Sequence, residues 1–284
     1  MRLIAPLLLG LMFATTVMAQ KKSDREEMGL AGPVRSLTME TQEPEKARVK
    51  VEQINFDKSG NRTEVLKFSS DGTVQGKTVY SRDARANLVS ETSYGASGAV
   101  YSKISHGYDA SGRRSETLAV NGEGKTTSKT SYTYDDAGRL AEENREAENF
   151  LGRRESRKTV YTYDDSGRLL SKSGVAEMGS RTHIRNKYDY DGRLTGRTEQ
   201  LSLAPPVEYS FDSKGNMTER KSGAGAFSKG PFDFEEHYSY EHDSQGNWVK
   251  QTKQLLMMTE NPTTYSLRRD YKLVSTTYRA ITYY

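Results

Sequence analysis

Residues able to do chemistry are plentiful in this chain, but few of them gather. The densest titratable run is Glu235-Glu236-His237-Tyr238-Ser239-Tyr240-Glu241-His242-Asp243. A metal centre needs three or four ligand atoms converging on one point. Side chains alternate along a strand, so His237 and Glu241 would share one face and Glu236 and His242 the other. Neither set supplies three close ligands, and the run reads as a polar strand without a metal. His106 and His183 have no recurring acidic or nucleophilic partner in the sequence. Carboxylate pairs such as Asp135/Asp136 and Asp164/Asp165 could serve acid–base chemistry, but their recurrence is better explained by turns. The chain has no cysteine, which excludes disulfides, thiolate metal sites and cysteine nucleophiles. It shows neither a serine elbow nor a glycine-rich phosphate cradle. These features predict a protein with no catalytic residues, no metal and no cofactor.

The other chemical resource is tyrosine, present 18 times. A tyrosine ring offers an apolar face and a polar tip. Regularly spaced Tyr and Arg could therefore form a sugar-binding surface. Against this stands a plainer use, in which Tyr134, Tyr163 and Tyr188 are themselves the core. Leu, Ile, Val and Phe make only 49 of 284 residues, too few for a thick aliphatic core. The 42 basic and 38 acidic residues nearly cancel at +4. Chains this poor in aliphatics are often disordered, but usually with high net charge.

The elements that position these residues follow from a repeat. Ile54–Glu64, His106–Glu116, Tyr132–Glu142, Tyr161–Ser171, Lys187–Gly196, Tyr209–Glu219 and Tyr238–Lys250 share an aromatic, an Asp, two polar residues, a Gly, then Arg or Asn. From Gly60 to Gly138 the glycine positions step by 12, 14, 12, 14, 12 and 14, with Ala86 taking one place. In each unit the Asp suits the first position of a type I turn, and the Gly suits the left-handed position closing a three-residue hairpin loop with a bulge. The structural turn residues are then Asp57 with Gly60, Asp109 with Gly112, Asp135 with Gly138, Asp164 with Gly167, Asp189 with Gly192, Asp212 with Gly215, and Asp243 with Gly246. This register sets Tyr134 opposite Leu140, Tyr163 opposite Leu169, Tyr188 opposite Leu194, Phe211 opposite Met217 and His242 opposite Trp248. Phe56 and Tyr108 face Arg62 and Arg114 instead. A reversal about every 13 residues leaves strands of about 8 residues, too short for helices. The expected fold is all-β: a long curled antiparallel meander of about sixteen strands, forming an open or partial β-shell. Val34–Thr41 supplies the opening strand and Thr276–Tyr284 the closing one, with the Leu255–Met258 cluster as a plug for one end.

These units resemble the YD repeats of RHS-type proteins, whose pattern is Tyr-Asp-x-x-Gly-Arg-Leu. Tyr134–Leu140, Tyr163–Leu169 and Tyr188–Leu194 carry it, within a resemblance covering roughly residues 50–260. The Gly29 start, Gly246-Asn247-Trp248 and the Arg279–Tyr284 end are similar to small exported bacterial proteins with such repeats. The resemblance implies β-shells that enclose cargo or present surfaces. This chain is shorter, and a curved open sheet is the expectation.

Met1–Ala19 reads as a secretory signal, with one basic residue, an apolar stretch and small residues before Gln20. Residues 20–32 read as polar and loose, and 33–284 as a single repeat domain. Without a cysteine after the signal, a lipoprotein anchor is excluded. Interspersed charge and export argue against nucleic acid. The combined expectation is a non-enzymatic exported module that binds or scaffolds at the bacterial envelope, with glycan as the ligand class. The alternative is an assembly module using exposed sheet edges. An outer-membrane barrel ranks lower, because Lys67, Glu142, Glu143, Arg157, Lys158, Arg197 and Lys221 interrupt both strand faces.

Overall fold

The computed structural model describes residues 22–148, 151–177, 179–223, 232–260 and 267–284; the expected signal segment, Met1–Ala19, lies outside them. One turn of helix, α1 (Asp24–Glu27), precedes eighteen strands. They are β1 (Val34–Gln42), β2 (Val49–Phe56), β3 (Arg62–Phe68), β4 (Val74–Arg82), β5 (Leu88–Gly95) and β6 (Val100–Tyr108). The middle third is β7 (Arg114–Asn121), β8 (Thr126–Tyr134), β9 (Leu140–Glu148), β10 (Arg154–Tyr163), β11 (Leu169–Ala176) and β12 (Arg181–Tyr188). The last are β13 (Leu194–Leu201), β14 (Val207–Phe211), β15 (Met217–Gly223), β16 (Phe232–His242), β17 (Trp248–Glu260) and β18 (Leu267–Tyr283).

Each strand pairs antiparallel with its sequence neighbours, and β18 pairs with β1 from Val34↔Tyr283 to Gln42↔Thr276. The sheet is therefore a closed 18-stranded barrel, which corrects the expected open or partial shell. Pairing the ends satisfies two rows of backbone groups that an open sheet leaves bare. It also removes the free edge on which the assembly reading depended. Closure is the property required by the outer-membrane barrel alternative, which fits the molecule better in that respect than an open sheet. The Leu255–Met258 cluster, expected as a plug, forms part of strand β17.

The repeat glycines close the hairpins through backbone geometry. At the β8–β9 turn, the Asp135 N–H donates to the Arg139 carbonyl at 2.9 Å and the Gly138 N–H to the Asp135 carbonyl at 2.8 Å. Gly138 has φ 77°, where an L side chain is strained. The same bond runs from Gly60 to Asp57, from Gly112 to Asp109, from Gly192 to Asp189 and from Gly215 to Asp212, over 3.0, 2.9, 3.1 and 3.0 Å. Gly112, Gly192 and Gly215 have φ 76°, 81° and 81°, so the left-handed position holds at each of them. The bulge then sets Tyr134 against Leu140. Tyr163↔Leu169, Tyr188↔Leu194, Phe211↔Met217 and His242↔Trp248 share this register. All the Asp-Gly turns from Asp57 to Gly246 thus lie at one rim, here called the repeat rim. The start of β1 and the end of β18 meet there too, since Tyr284 N–H donates to the Pro33 carbonyl at 3.0 Å.

The two faces differ in accessibility. Along β8 and β10, Thr130, Tyr132, Tyr134, Thr159, Tyr161 and Tyr163 are half-buried or buried, while Lys129, Ser131, Lys158 and Val160 are exposed. On a curved sheet the concave side crowds its side chains, so the tyrosine-bearing face is the inner one. The aliphatic core occupies a small part of it. Leu30, Val34, Leu37, Ile54, Phe56 and Val65 cluster there, with Met28, Met39, Tyr80, Ile281 and Tyr283 packed against them. Within residues 22–32, Ser23 and Glu26 form a reciprocal capping box, and Leu30 is buried.

Candidate functional site at the repeat rim and inner face

The repeat builds a chain of clasps around the rim. Asp109, Asp135 and Asp164 each hold the arginine four residues on, with Arg113, Arg139 and Arg168 at 2.8, 2.7 and 2.6 Å. Each arginine then lies over the tyrosine of the next hairpin: Arg113 over Tyr134, Arg139 over Tyr163 and Arg168 over Tyr188, at 4.6, 4.7 and 5.0 Å from the ring centre. The same tyrosines donate to backbone carbonyls of the preceding hairpin, at Arg114, Leu140 and Leu169, over 2.7, 2.8 and 2.9 Å. Ring face and hydroxyl are both engaged in the wall. Backbone and side-chain bonds from Arg113 hold the Asp109 carboxyl below its ordinary range.

The clasp is not uniform around the rim. Asp189 accepts from the Arg193 backbone N–H at 2.8 Å, but the Arg193 guanidinium turns to Asp191 at 2.7 Å. In the Gly60 and Gly215 turns an asparagine replaces the arginine, and Asp57 and Asp212 accept from Asn61 and Asn216 at 3.3 and 3.0 Å. Gly192 is crowded, since an added Cβ would meet Arg168 Nη1 at 3.0 Å, whereas Gly112 and Gly215 have open space there. These glycines shape the turns.

Farther in, polar side chains satisfy one another. His106 meets Glu91 at 3.1 Å and Thr117 at 3.0 Å, and Thr117 meets the Tyr132 hydroxyl at 3.1 Å. The buried Glu236 is bonded by Lys253, Arg220 and Tyr238 at 2.6, 3.1 and 2.7 Å. Burial would push its carboxyl up, but these three donors bring it below the usual value. Arg279 lies 3.4 Å over the Trp248 ring, and its buried Nε has no hydrogen-bond partner. Burial pulls that guanidinium down to about 10.

A wide concavity opens at the rim under α1. Its volume is about 610 Å³, and Arg25, Arg62, Arg82, Arg85 and Arg114 line it. Asp24 anchors its floor, accepting from the Arg62 N–H at 2.7 Å and from Arg82 Nη2 at 2.5 Å. Arg62 also lies 4.9 Å over the Tyr80 ring. Six basic residues of the lining, counting Lys22, face four acidic ones, Asp24, Glu26, Glu27 and Glu91. Glu26 is turned to Ser23 and Glu91 to His106, so positive charge is in excess. Arg25 Nη1, Arg62 Nε and Arg82 Nε are buried donors without hydrogen-bond partners.

The residues singled out in the sequence divide between these places. Tyr134, Tyr163, Tyr188, Phe211 and Trp248 all reach the inner face beside the repeat rim, and Arg197 lies 5.7 Å over Phe211. His106, unpaired in sequence, finds Glu91 through the β5–β6 ladder. The cleft was missed altogether. Ser23-Asp24-Arg25-Glu26 carries the capping-box signature that could have revealed α1.

Among the described residues, charged side chains stand on both faces. Lys77, Lys103, Lys129, Glu146, Lys158 and Arg185 are exposed outside, and Glu91, Lys172, Arg197, Arg220 and Glu236 stand inside. No helix among the described residues is long and apolar enough to cross a membrane.

No family model matches the chain. No curated protein matches it either. Among solved structures, the chain is similar to a porin-like protein from Bacteroides uniformis ATCC 8492, with 11% identity, a TM-score of 0.45, and coverage of 89% of this chain and 99% of that one. It is also similar to a porin-like protein from Bacteroides vulgatus ATCC 8482, with 12% identity, a TM-score of 0.33, and coverage of 88% and 98%.

Proposed function

We propose that this protein is a non-enzymatic barrel of the bacterial envelope that binds an anionic glycan at the repeat rim. The observation that carries this reading is the cleft of about 610 Å³ lined by five arginines. Guanidinium forks match carboxylate geometry, and Tyr80 supplies an aromatic wall behind Arg62. The repeat tyrosines build the wall that holds this cleft and take no part in recognition. Calorimetric titration with oligogalacturonate, against neutral dextran as control, tests the reading. Binding of the acidic sugar should fall about tenfold in Arg82→Gln or Arg114→Gln, the scale of one lost charged hydrogen bond. Equal heats from both sugars would overturn it.

A second reading, a barrel inserted in the outer membrane, is favoured by complete closure, an even number of strands among the described residues, and the start of β1 meeting the end of β18 at one rim. Each outward Lys or Arg at mid-membrane depth would cost about 2–4 kcal/mol, and several such residues recur along successive strands. In flotation with liposomes the protein should therefore stay in the aqueous fraction. Recovery with the lipid would decide for the inserted barrel.

A further inference from the structure

On the outer face of β15, β16 and β18, four polar groups converge without forming part of the rim cleft. Glu219 stands directly across the ladder from His237, and Glu235 is two residues before His237 on the same strand. His237 Nε2 lies 2.8 Å from Glu235 Oε1 and 3.9 Å from Glu219 Oε1. The Tyr271 hydroxyl, reaching across β17, lies 3.4 Å from both Glu235 Oε1 and His237 Nε2. Its ring meets the imidazole edge-on, with centroids 4.7 Å apart. Ligand atoms from Glu219, Glu235 and His237 all fall within 4.8 Å of one another. A tetrahedral ion with bonds of about 2.0–2.1 Å has ligand–ligand edges of about 3.3 Å. The separations from 2.8 to 3.9 Å bracket that value.

Charge supplies a second, independent argument. The Glu235 side chain is only 8% exposed although it stands on the water-facing side. Among the described residues no lysine or arginine makes an ion pair with it. Lys221, its partner across the ladder, is placed on Glu219 at 3.3 Å and Glu208 at 3.8 Å. A buried carboxylate needs a compensating charge, and among the described residues no permanently charged side chain supplies one to Glu235. A dication between Glu235, Glu219 and His237 supplies it. One imidazole with two carboxylates suits a borderline metal better than calcium or magnesium, which prefer oxygen ligands alone.

We propose that Glu219, Glu235 and His237 form a divalent transition-metal site that takes Zn²⁺, with the Tyr271 hydroxyl beside the fourth position. The proposal does not depend on ligand binding at the rim. Isothermal titration of the metal-stripped full chain with Zn²⁺ tests it. One ion per chain is expected, with affinity at least tenfold weaker in His237→Gln and in Glu219→Gln. His183→Gln, on the same outer face but bonded to Ser173 at 2.7 Å, should bind as the parent does. Titration with Co²⁺ gives a second readout: visible absorption of a tetrahedral ion in the parent and its loss in His237→Gln. Glu219→Gln alters a half-buried group and keeps the experiment interpretable should His237→Gln misfold. Parent-like Zn²⁺ affinity in both variants, or a parent that binds Zn²⁺ no more tightly than His237→Gln, would overturn the assignment.

Discussion

Leu37 is the residue on which closure can be tested most directly. It sits at the seam, opposite Ile281 on β18 and opposite Ile54 on β2. Its exposure is 0%. Leu37→Ala removes about three methyl or methylene groups, worth about 0.8 kcal/mol each, or ~2.4 kcal/mol. The vacated space adds a cavity term that brings such losses to about 2–5 kcal/mol. Val100→Ala makes a comparable apolar deletion at a side chain 44% exposed on the same sheet, and should cost less than about 1 kcal/mol. Urea denaturation of the two variants beside the parent gives the comparison, read at constant m-value. Hydrogen exchange of the β1 amides supplies an independent readout, since amides paired on both sides should be protected as strongly as those of β7 or β8. Equal, small losses in the two variants, together with fast exchange along β1, would refute closure at this seam.

Other perturbations follow from the same wall. Gly167→Val should cost about 1–3 kcal/mol, because φ is 78° while an added Cβ would meet nothing closer than Arg139 Nη1 at 3.9 Å; Asp165→Ala, one step into the turn, should stay within about 0.5 kcal/mol, and equal melting temperatures would remove the hairpin argument there. Tyr163→Phe deletes a hydroxyl that donates to the Leu140 carbonyl at 2.8 Å, for a loss of about 1 kcal/mol in denaturant titration; an unchanged midpoint would mean that water replaces the clasp. The rim carboxyls of Asp83, Asp109, Asp135, Asp164, Asp212 and Asp243 are held below their ordinary range. Their contribution to stability is therefore complete above the unfolded value near 3.9 and is lost as pH falls through the lowered folded values. Thermal melts should stay flat from neutrality to about pH 5 and decline below pH 4; a decline centred near pH 6 would implicate a histidine instead.

What the sequence disclosed and what it hid separate by distance along the chain. The pairing of Tyr134 with Leu140, and the left-handed glycine between them, depend on seven consecutive residues and were legible residue by residue. Closure depends on Val34 and Leu37 meeting Tyr283 and Ile281, some 240 positions away, and no local spacing encodes that meeting. The same holds for the rim cleft, where Asp24 reaches Arg82, and for the outer cluster. There, alternation along one strand correctly separated His237 from Glu236 but could not supply Glu219 or Tyr271 from other strands. The Tyr–Arg recurrence suggested a stacking surface because the sequence does not reveal that Arg139 itself covers Tyr163.

The seam also imposes an order in time. The first strand to be synthesised is among the last to acquire both partners, because β18 follows β1 by more than 200 residues. Until then β1 holds β2 on one side and offers bare N–H and carbonyl groups on the other. Non-local pairings of this kind form slowly, and transient edges invite mispairing. A chain shortened by a few residues at its C-terminus would lose Ile281 and Tyr283 and keep that vulnerability permanently, so quality control of this barrel reduces to whether its last strand arrives.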